Sequence, residues 1–177
     1  MAALPPTPPL RRRLAALIYE AVLLFAVTMV SGFLYAVITG QRHALEGRSG
    51  LQAWEFLVLA VYFVGFWRKG GQTLAMQTWR IRLVSRDGSR PRLGQALLRF
   101  VLSWVWVLPP LALGRMMDWT AGGSASLSLA AWVLVYGGLS RWLPDRQFAH
   151  DLLSGTRLVD TREEGSRRAA GPQVKTG

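Results

Sequence analysis

A long apolar run near the start of the chain constrains its fold more than any other feature. The 26 residues from Leu14 to Thr39 contain one charged side chain, Glu20. A helix of that length rises about 39 Å, which is enough to cross the hydrocarbon core of a bilayer with some tilt. Three arginines, Arg11 to Arg13, precede the run, and basic residues beside a span stay on the cytoplasmic side. The sequence therefore predicts an integral membrane protein.

Composition supports this class over a soluble one. The 177-residue chain is 51% hydrophobic, yet it carries a net charge of +11. Apolar spans combined with cytoplasmic segments rich in Lys and Arg produce both values at once. Because the positive charges lie beside the apolar runs, we expect the lipid bilayer and no nucleic acid as a partner. The sequence has no cysteine, which excludes disulfides and thiolate metal sites.

Four apolar runs predict an all-α polytopic membrane protein built as a four-helix transmembrane bundle. The spans are expected at about 14–39, 51–67, 96–116 and 125–143. Residues 1–12 are rich in proline and residues 161–177 form a basic tail, so both are expected to be disordered. The transmembrane domain between them covers 13–160. Pro109 and Pro110 fall inside the third run and are expected to kink that helix.

The distribution of Lys and Arg orients the predicted spans. Segments 1–13, 68–95 and 141–177 hold three, seven and seven of these residues, whereas loops 40–50 and 117–124 hold two and none. Positive residues concentrate on the cytoplasmic side of membrane proteins. Both termini are therefore predicted to be cytoplasmic, and the basic segments are expected to contact anionic lipid headgroups.

Two short runs are predicted to pair outside the bilayer. Ile81–Val84 and Thr156–Val159 alternate in the manner of strands, and the turn signal Asp87-Gly88 follows the first. Neither run is long enough to cross the membrane. We therefore expect a small cytoplasmic two-stranded β element, resting on the inner ends of the helices because two strands alone are only marginally stable.

Three sequence blocks resemble the RDD family of small bacterial integral membrane proteins. They are Arg13-Leu14-Ala15-Ala16-Leu17-Ile18-Tyr19-Glu20; Gly71-Gln72-Thr73-Leu74 with Ile81-Arg82-Leu83-Val84 and Asp87-Gly88; and His150-Asp151-Leu152-Leu153-Ser154-Gly155-Thr156-Arg157-Leu158-Val159. The family is named for one Arg and two Asp residues. Glu20 stands at the first Asp position, seven residues after Arg13, and Asp151 matches the second. The resemblance spans most of residues 10–160, with Ala75 where a glycine is usual, and it implies a multi-pass protein of the bacterial inner (cytoplasmic) membrane related to transport.

Four ionisable residues are candidates for binding or ion coupling: Arg13, Glu20, Arg99 and Asp151. A carboxylate two turns inside a membrane helix costs several kcal/mol unless it is paired, hydrated or protonated. Glu20 is therefore expected to face the bundle interior, with Arg99 as its first candidate partner and Arg13 as its second. Extension to the headgroups is the alternative for Arg99. Asp151 is expected to tie the C-terminal tail to segment 68–95.

Two functions remain open on these observations. The first is a transport or ion/proton-exchange component, acting as an oligomer because four spans are few, with Glu20 as its buried titratable group. The second is a non-catalytic membrane assembly protein that binds copies of itself or another membrane protein, in which Glu20 only holds the bundle together. The sequence offers no nucleophile with a base, no metal-ligand set and no phosphate loop, so no enzymatic activity, cofactor or metal is expected. Glu55 is expected to be solvated at the outer end of the second span.

Overall fold

Long helices, one two-stranded sheet and several short helices make up the protein. The computed structural model describes residues 5–40, 48–117 and 122–162. Its elements in chain order are α1 (Leu10–Thr39), α2 (Arg48–Lys69), α3 (Leu74–Thr78), β1 (Ile81–Ser85), α4 (Leu93–Ser103), α5 (Leu108–Met116), α6 (Gly122–Leu139), α7 (Ala149–Leu153) and β2 (Thr156–Asp160).

Three candidate membrane spans are present among the described residues. They are α1, α2 and the stretch Leu93–Met116, which joins α4 and α5 through a 3-10 turn. The outer surface of α1 is apolar, with Phe25 and Phe33 each about two-thirds exposed, as a helix surrounded by lipid requires. Helix α6 coincides with the fourth predicted run, but its apolar part, Ser126–Leu139, is shorter than the other three.

The fourth predicted run extends beyond its helix. Helix α6 ends at Leu139, whereas the sequence predicted a span through residue 143. The backbone N–H of Ser140 donates to the carbonyl of Gly137, and the Ser140 hydroxyl donates to the same oxygen at 2.6 Å. Two glycines in the last turn weaken the helix, and a serine hydroxyl competes for its terminal carbonyls. The chain therefore turns before the apolar pattern stops.

The predicted kink in the third run lies where its prolines require it. Helix α4 ends at Ser103, a 3-10 turn covers Trp104–Trp106, and α5 starts at Leu108 with Pro109 and Pro110 in its first turn. Proline lacks the N–H that an interior helical position would donate, but the first turn of a helix has no use for that donor. The prolines thus begin a new helix instead of distorting an old one.

The predicted two-stranded sheet is confirmed. Strands β1 and β2 pair antiparallel, with Ile81 opposite Asp160 and Ser85 opposite Thr156. Gly71 lies against this sheet at φ +71°, and its carbonyl accepts from the N–H of Leu83 at 2.7 Å. A side chain at Gly71 would place its Cβ 2.5 Å from the Leu83 carbonyl oxygen. Only glycine permits this approach.

Part of the N-terminal segment expected to be disordered is packed onto the sheet. The carbonyl of Pro6 accepts from the N–H of Asp160 at 2.9 Å, and Thr7 accepts from the Gln147 side chain at 2.8 Å. Pro8 is fully buried, and α1 begins at Leu10. The expectation of disorder is therefore wrong for residues 5–12, because proline carbonyls accept hydrogen bonds while their fixed φ reduces the entropy lost on ordering. Residues 1–4 and 163–177 lie outside the described part.

Candidate functional site

Three elements converge on the carboxylate of Glu20. The side chain is 7% exposed and points from α1 toward α2 and the start of α3. The Tyr62 hydroxyl donates to Oε1 at 2.7 Å, and the Thr73 hydroxyl donates to Oε2. Thr73 also caps α3 by accepting from the N–H of Met76. Glu20 therefore faces the interior as predicted, with two hydroxyls as its hydrogen-bond partners.

Glu20 was expected within hydrogen-bonding or water-bridged reach of a basic residue. In residues 5–40, 48–117 and 122–162, neither Arg99 nor Arg13 forms a direct salt bridge with Glu20. Arg99 lines the same cavity as the carboxylate. Arg13, seven residues before Glu20, instead lies over the ring of Phe148 at 4.3 Å and donates from Nη2 to the Ser140 hydroxyl at 3.2 Å. Both of these partners lie beyond the C-terminal end of α6, so helical spacing within α1 could not identify them.

Arg99 pairs with Asp151 inside the protein. The Nε–H of Arg99 donates to Oδ1 of Asp151 at 2.7 Å, and Asp151 is completely buried. The guanidinium carbon also lies 4.2 Å over the ring of Trp67, a cation–π arrangement. Extension of Arg99 to the headgroups is therefore wrong. Asp151 ties the C-terminal part of the chain to α4, whereas the sequence predicted a tie to segment 68–95.

His150 extends this charged pair toward α6. Its Nδ1 lies 3.0 Å from the Tyr136 hydroxyl, and its Nε2 lies 3.5 Å from Oδ1 of Asp151. Burial lowers the pKa of His150 to about 4, an effect that Asp151 only partly opposes. The imidazole is therefore neutral near neutral pH.

Sequence reasoning missed the hydroxyl partners of this site. Tyr62 and Tyr136 lie within apolar runs, where nothing distinguishes them from packing residues, and Thr73 carried no role beyond its place in a motif. The one available signal for Thr73 was a hydroxyl two residues after the Gly70-Gly71 break, where a helix cap is expected.

A cavity of about 300 Å³ lies between these groups. Its polar lining comes from both arginines, the carboxylate of α1, the threonine cap and the histidine of α7. Its apolar lining is mainly aromatic. Its lining includes Arg13, Glu20, Thr73, Arg99, His150, Phe63, Trp67, Phe100, Trp104 and Trp106. Asp151 borders this set through its contact with Arg99.

The cavity lining combines charged, hydroxyl and apolar side chains. Within the described residues, no three or more His, Asp or Glu side chains are grouped to hold a metal ion. The cavity instead combines two cations, carboxylate oxygens and hydroxyls with a large apolar surface, as small-molecule sites commonly do.

Glu55 lies apart from this site. It belongs to α2 and accepts from the Ser31 hydroxyl of α1 at 2.7 Å, so the expected solvated carboxylate is in fact half-buried and bonded between helices. It does not line the cavity.

The comparisons with known proteins agree with the resemblance carried by the three sequence blocks. Neither the curated proteins nor the solved structures contain a match to this chain. A family model matches residues 7–155, which covers most of the chain and includes Arg13, Glu20 and Asp151. The three positions for which the resemblance names the family lie around one buried site in this structure, and the chain belongs to the RDD family.

Proposed function

We propose that this chain is a membrane transport component in which Glu20 takes up and releases a proton. The supporting observation is a buried carboxylate at the wall of a cavity, held by the hydroxyls of Tyr62 and Thr73 and, within the described part of the chain, by no direct cation. A hydroxyl donates to a carboxylate and can turn to accept from a carboxylic acid, whereas a guanidinium only donates. The surroundings of Glu20 therefore suit both of its protonation states.

The proposed topology has four spans with both chain ends on one side. Arg12 at the start of α1 pairs with Asp160 of β2, and β2 pairs with β1. These contacts bring the start of the first span, the link between α2 and α4, and strand β2 to the same end of the bundle. If Leu93–Met116 crosses the bilayer, α6 must cross back for β2 to reach β1. The 18 residues of α6 rise about 27 Å, close to the thickness of the hydrocarbon core.

We assign that shared end to the cytoplasm of a bacterial cell, with the protein in the inner membrane. The sheet-side end carries the segments richest in Lys and Arg, and such segments remain cytoplasmic and attract anionic headgroups. Four spans provide little protein around one cavity. We therefore propose that the transporting unit is an oligomer.

Flux through a purified protein tests the transport proposal. The protein is reconstituted into vesicles with a pH-sensitive dye inside, and a panel of cation and anion gradients is applied. We expect one gradient to move protons, and Glu20→Gln to abolish that movement, because an amide cannot carry the proton. Glu20→Asp should retain part of it.

Glu55→Gln is the matched control, since it makes the same chemical change at a half-buried acid away from the cavity. It should leave flux intact. Equal flux in the wild type and Glu20→Gln would overturn the proposal. Absence of flux from the reconstituted protein, with a second membrane protein that co-purifies at fixed stoichiometry, would favour the assembly function instead.

A further inference from the structure

The cavity has the shape and lining of a site for one small amphipathic molecule. Its volume of about 300 Å³ lies at the lower end of the roughly 300–1,000 Å³ that is usual for small-molecule sites. Its lining combines Arg13, Glu20 and Arg99 with aromatic rings including Phe63 and Trp104. A ligand with a charged group and an apolar body matches this combination.

Arg13 indicates the sign of that charged group. The residue is 5% exposed, and among the described residues the one polar partner of its guanidinium is the Ser140 hydroxyl. The N–H groups on Nε and Nη1 have no acceptor in that part of the chain. Arg99, by contrast, is paired with Asp151. A buried cation with unused donors is costly until an anion supplies the acceptors.

The charges around the cavity link the binding of an anion to the uptake of a proton. Arg13 and Arg99 balance Glu20 and Asp151 when Glu20 is ionised, and His150, Tyr62, Tyr136 and Thr73 add no charge. One bound anion would leave this cluster at −1, and one proton on Glu20 returns it to zero. A bound cation would leave it at +1, with no neutral group there suited to give up a proton. Net charge is strongly disfavoured in a poorly hydrated interior.

We propose that the cavity binds a small monocarboxylate with an apolar body, its carboxylate on Arg13, and that one proton enters on Glu20 with it. This inference rests on the proposed function, because it uses the same titrating group. No covalent bond changes: the ligand enters as R–COO⁻, a proton from solution binds one oxygen of Glu20, and both leave together.

Benzoate is the probe, since it has nine non-hydrogen atoms and a single negative charge. Binding to the purified full-length chain is measured by calorimetry and by tryptophan fluorescence, which should change because Trp67, Trp104 and Trp106 line the cavity. Benzylamine and benzyl alcohol are the matched cation and neutral molecule. We expect benzoate to bind at least tenfold more tightly than either. Equal or tighter binding of benzylamine would overturn the proposal without any variant.

Variants then test whether Arg13 binds the carboxylate of benzoate and whether Glu20 takes up the proton. Arg13→Gln should weaken benzoate binding at least tenfold and Arg13→Lys should weaken it less, while Arg11→Gln, an exposed neighbour, should leave it unchanged. Calorimetry in buffers of different ionisation enthalpy should show about one proton taken up per benzoate. Glu20→Gln should bind benzoate with no proton uptake. Benzoate affinity independent of Arg13, or proton uptake that persists without Glu20, would contradict the inference.

The two proposals can fail separately. Proton flux that requires Glu20, together with no benzoate binding, would overturn the ligand class and leave the transport function standing. Arg13-dependent benzoate binding with proton uptake, but no flux in vesicles, would overturn transport and leave the binding site standing.

Discussion

Arg99 donates from Nε to Oδ1 of Asp151 at 2.7 Å, and this pair joins helix α4 to helix α7 across 52 residues of sequence. Both side chains are removed from solvent, and the guanidinium also stacks on Trp67. The pair therefore fixes where the C-terminal part of the chain meets the helices, and its removal should affect folding before it affects any ligand.

Loss of one partner of this pair should be more damaging than loss of both. Asp151→Ala leaves a buried guanidinium without its carboxylate, and we expect it to lower the free energy of unfolding in detergent by about 3–5 kcal/mol. A double variant, Arg99→Met with Asp151→Leu, removes both charges and should lie closer to the wild type. Denaturant titration followed by circular dichroism gives both values. A loss below about 1 kcal/mol for Asp151→Ala would show that the pair is not holding α7.

The hydroxyls on Glu20 should each contribute to stability. Tyr62→Phe and Thr73→Val remove a hydrogen bond to a buried acid, for which a loss of about 1.5–3 kcal/mol each is expected in the same titration. Thr73→Ser should recover most of the stability, because it restores both the hydroxyl and the cap of α3. Tyr19→Phe, at a half-exposed tyrosine of α1, is the control and should be neutral. If Tyr62→Phe lowered the free energy of unfolding no more than Tyr19→Phe does, the hydrogen bond from Tyr62 would not contribute to stability.

Acid should destabilise the protein through His150. Burial lowers its pKa to about 4 in the folded state, against about 6.5 in an unfolded chain. The unfolded state therefore binds more protons between these values, so stability is full above pH 6.5 and falls as the pH drops toward 4, by on the order of 3 kcal/mol. Melting temperatures from pH 8 to pH 4 should show this decline.

His150→Gln should flatten the decline, because the proton-binding group is gone from both states. Asp160 does not reduce stability over the same pH range. Although partial burial raises its pKa, the hydrogen bond from Arg12 and nearby positive charges lower it more, so its contribution is lost only below about pH 4. If the melting temperature of His150→Gln fell with pH as steeply as that of the wild type, the acid sensitivity would come from another group.

The proposed topology can be read from single cysteines, because the chain has none of its own. Cysteines at Ser49, at the start of α2, and at Gly123, at the start of α6, should react with an impermeant maleimide added outside intact cells. A cysteine at Ser89, just after β1, should react only after lysis. Labelling of position 89 from outside would reverse the orientation, and protection of position 123 would remove the fourth span.

The sequence predicted those features of the fold that depend on local pattern. Apolar length located α1 and α2, the Pro109-Pro110 pair located the break before α5, and alternation located β1 and β2. The predicted boundaries of segments were wrong where tertiary contacts override the local sequence pattern. Pro6 looked like part of a disordered segment because its partner is Asp160 of β2, more than 140 residues away, and no local signal in the sequence indicates that contact.

The sequence singled out the charged residues of the candidate site but did not predict their pairing. Arg13, Glu20 and Arg99 line one cavity and Asp151 contacts Arg99, and the sequence drew attention to all four because buried charge in a membrane protein is costly. Which carboxylate each arginine meets depends on how α1, α4 and α7 cross. That geometry follows from the packing of aromatic side chains against one another. The order of these residues in the sequence does not show which of them meet.

The sheet between β1 and β2 also sets an order of events during synthesis. Arg12 leaves the ribosome 148 residues before its partner Asp160, which is about 7–30 s at 5–20 residues per second. Every helix that borders the cavity is therefore made before the last strand exists. In that interval Arg12 and Arg99 have no carboxylate from the C-terminal segment, so a chain stopped before α7 keeps both cations without these partners.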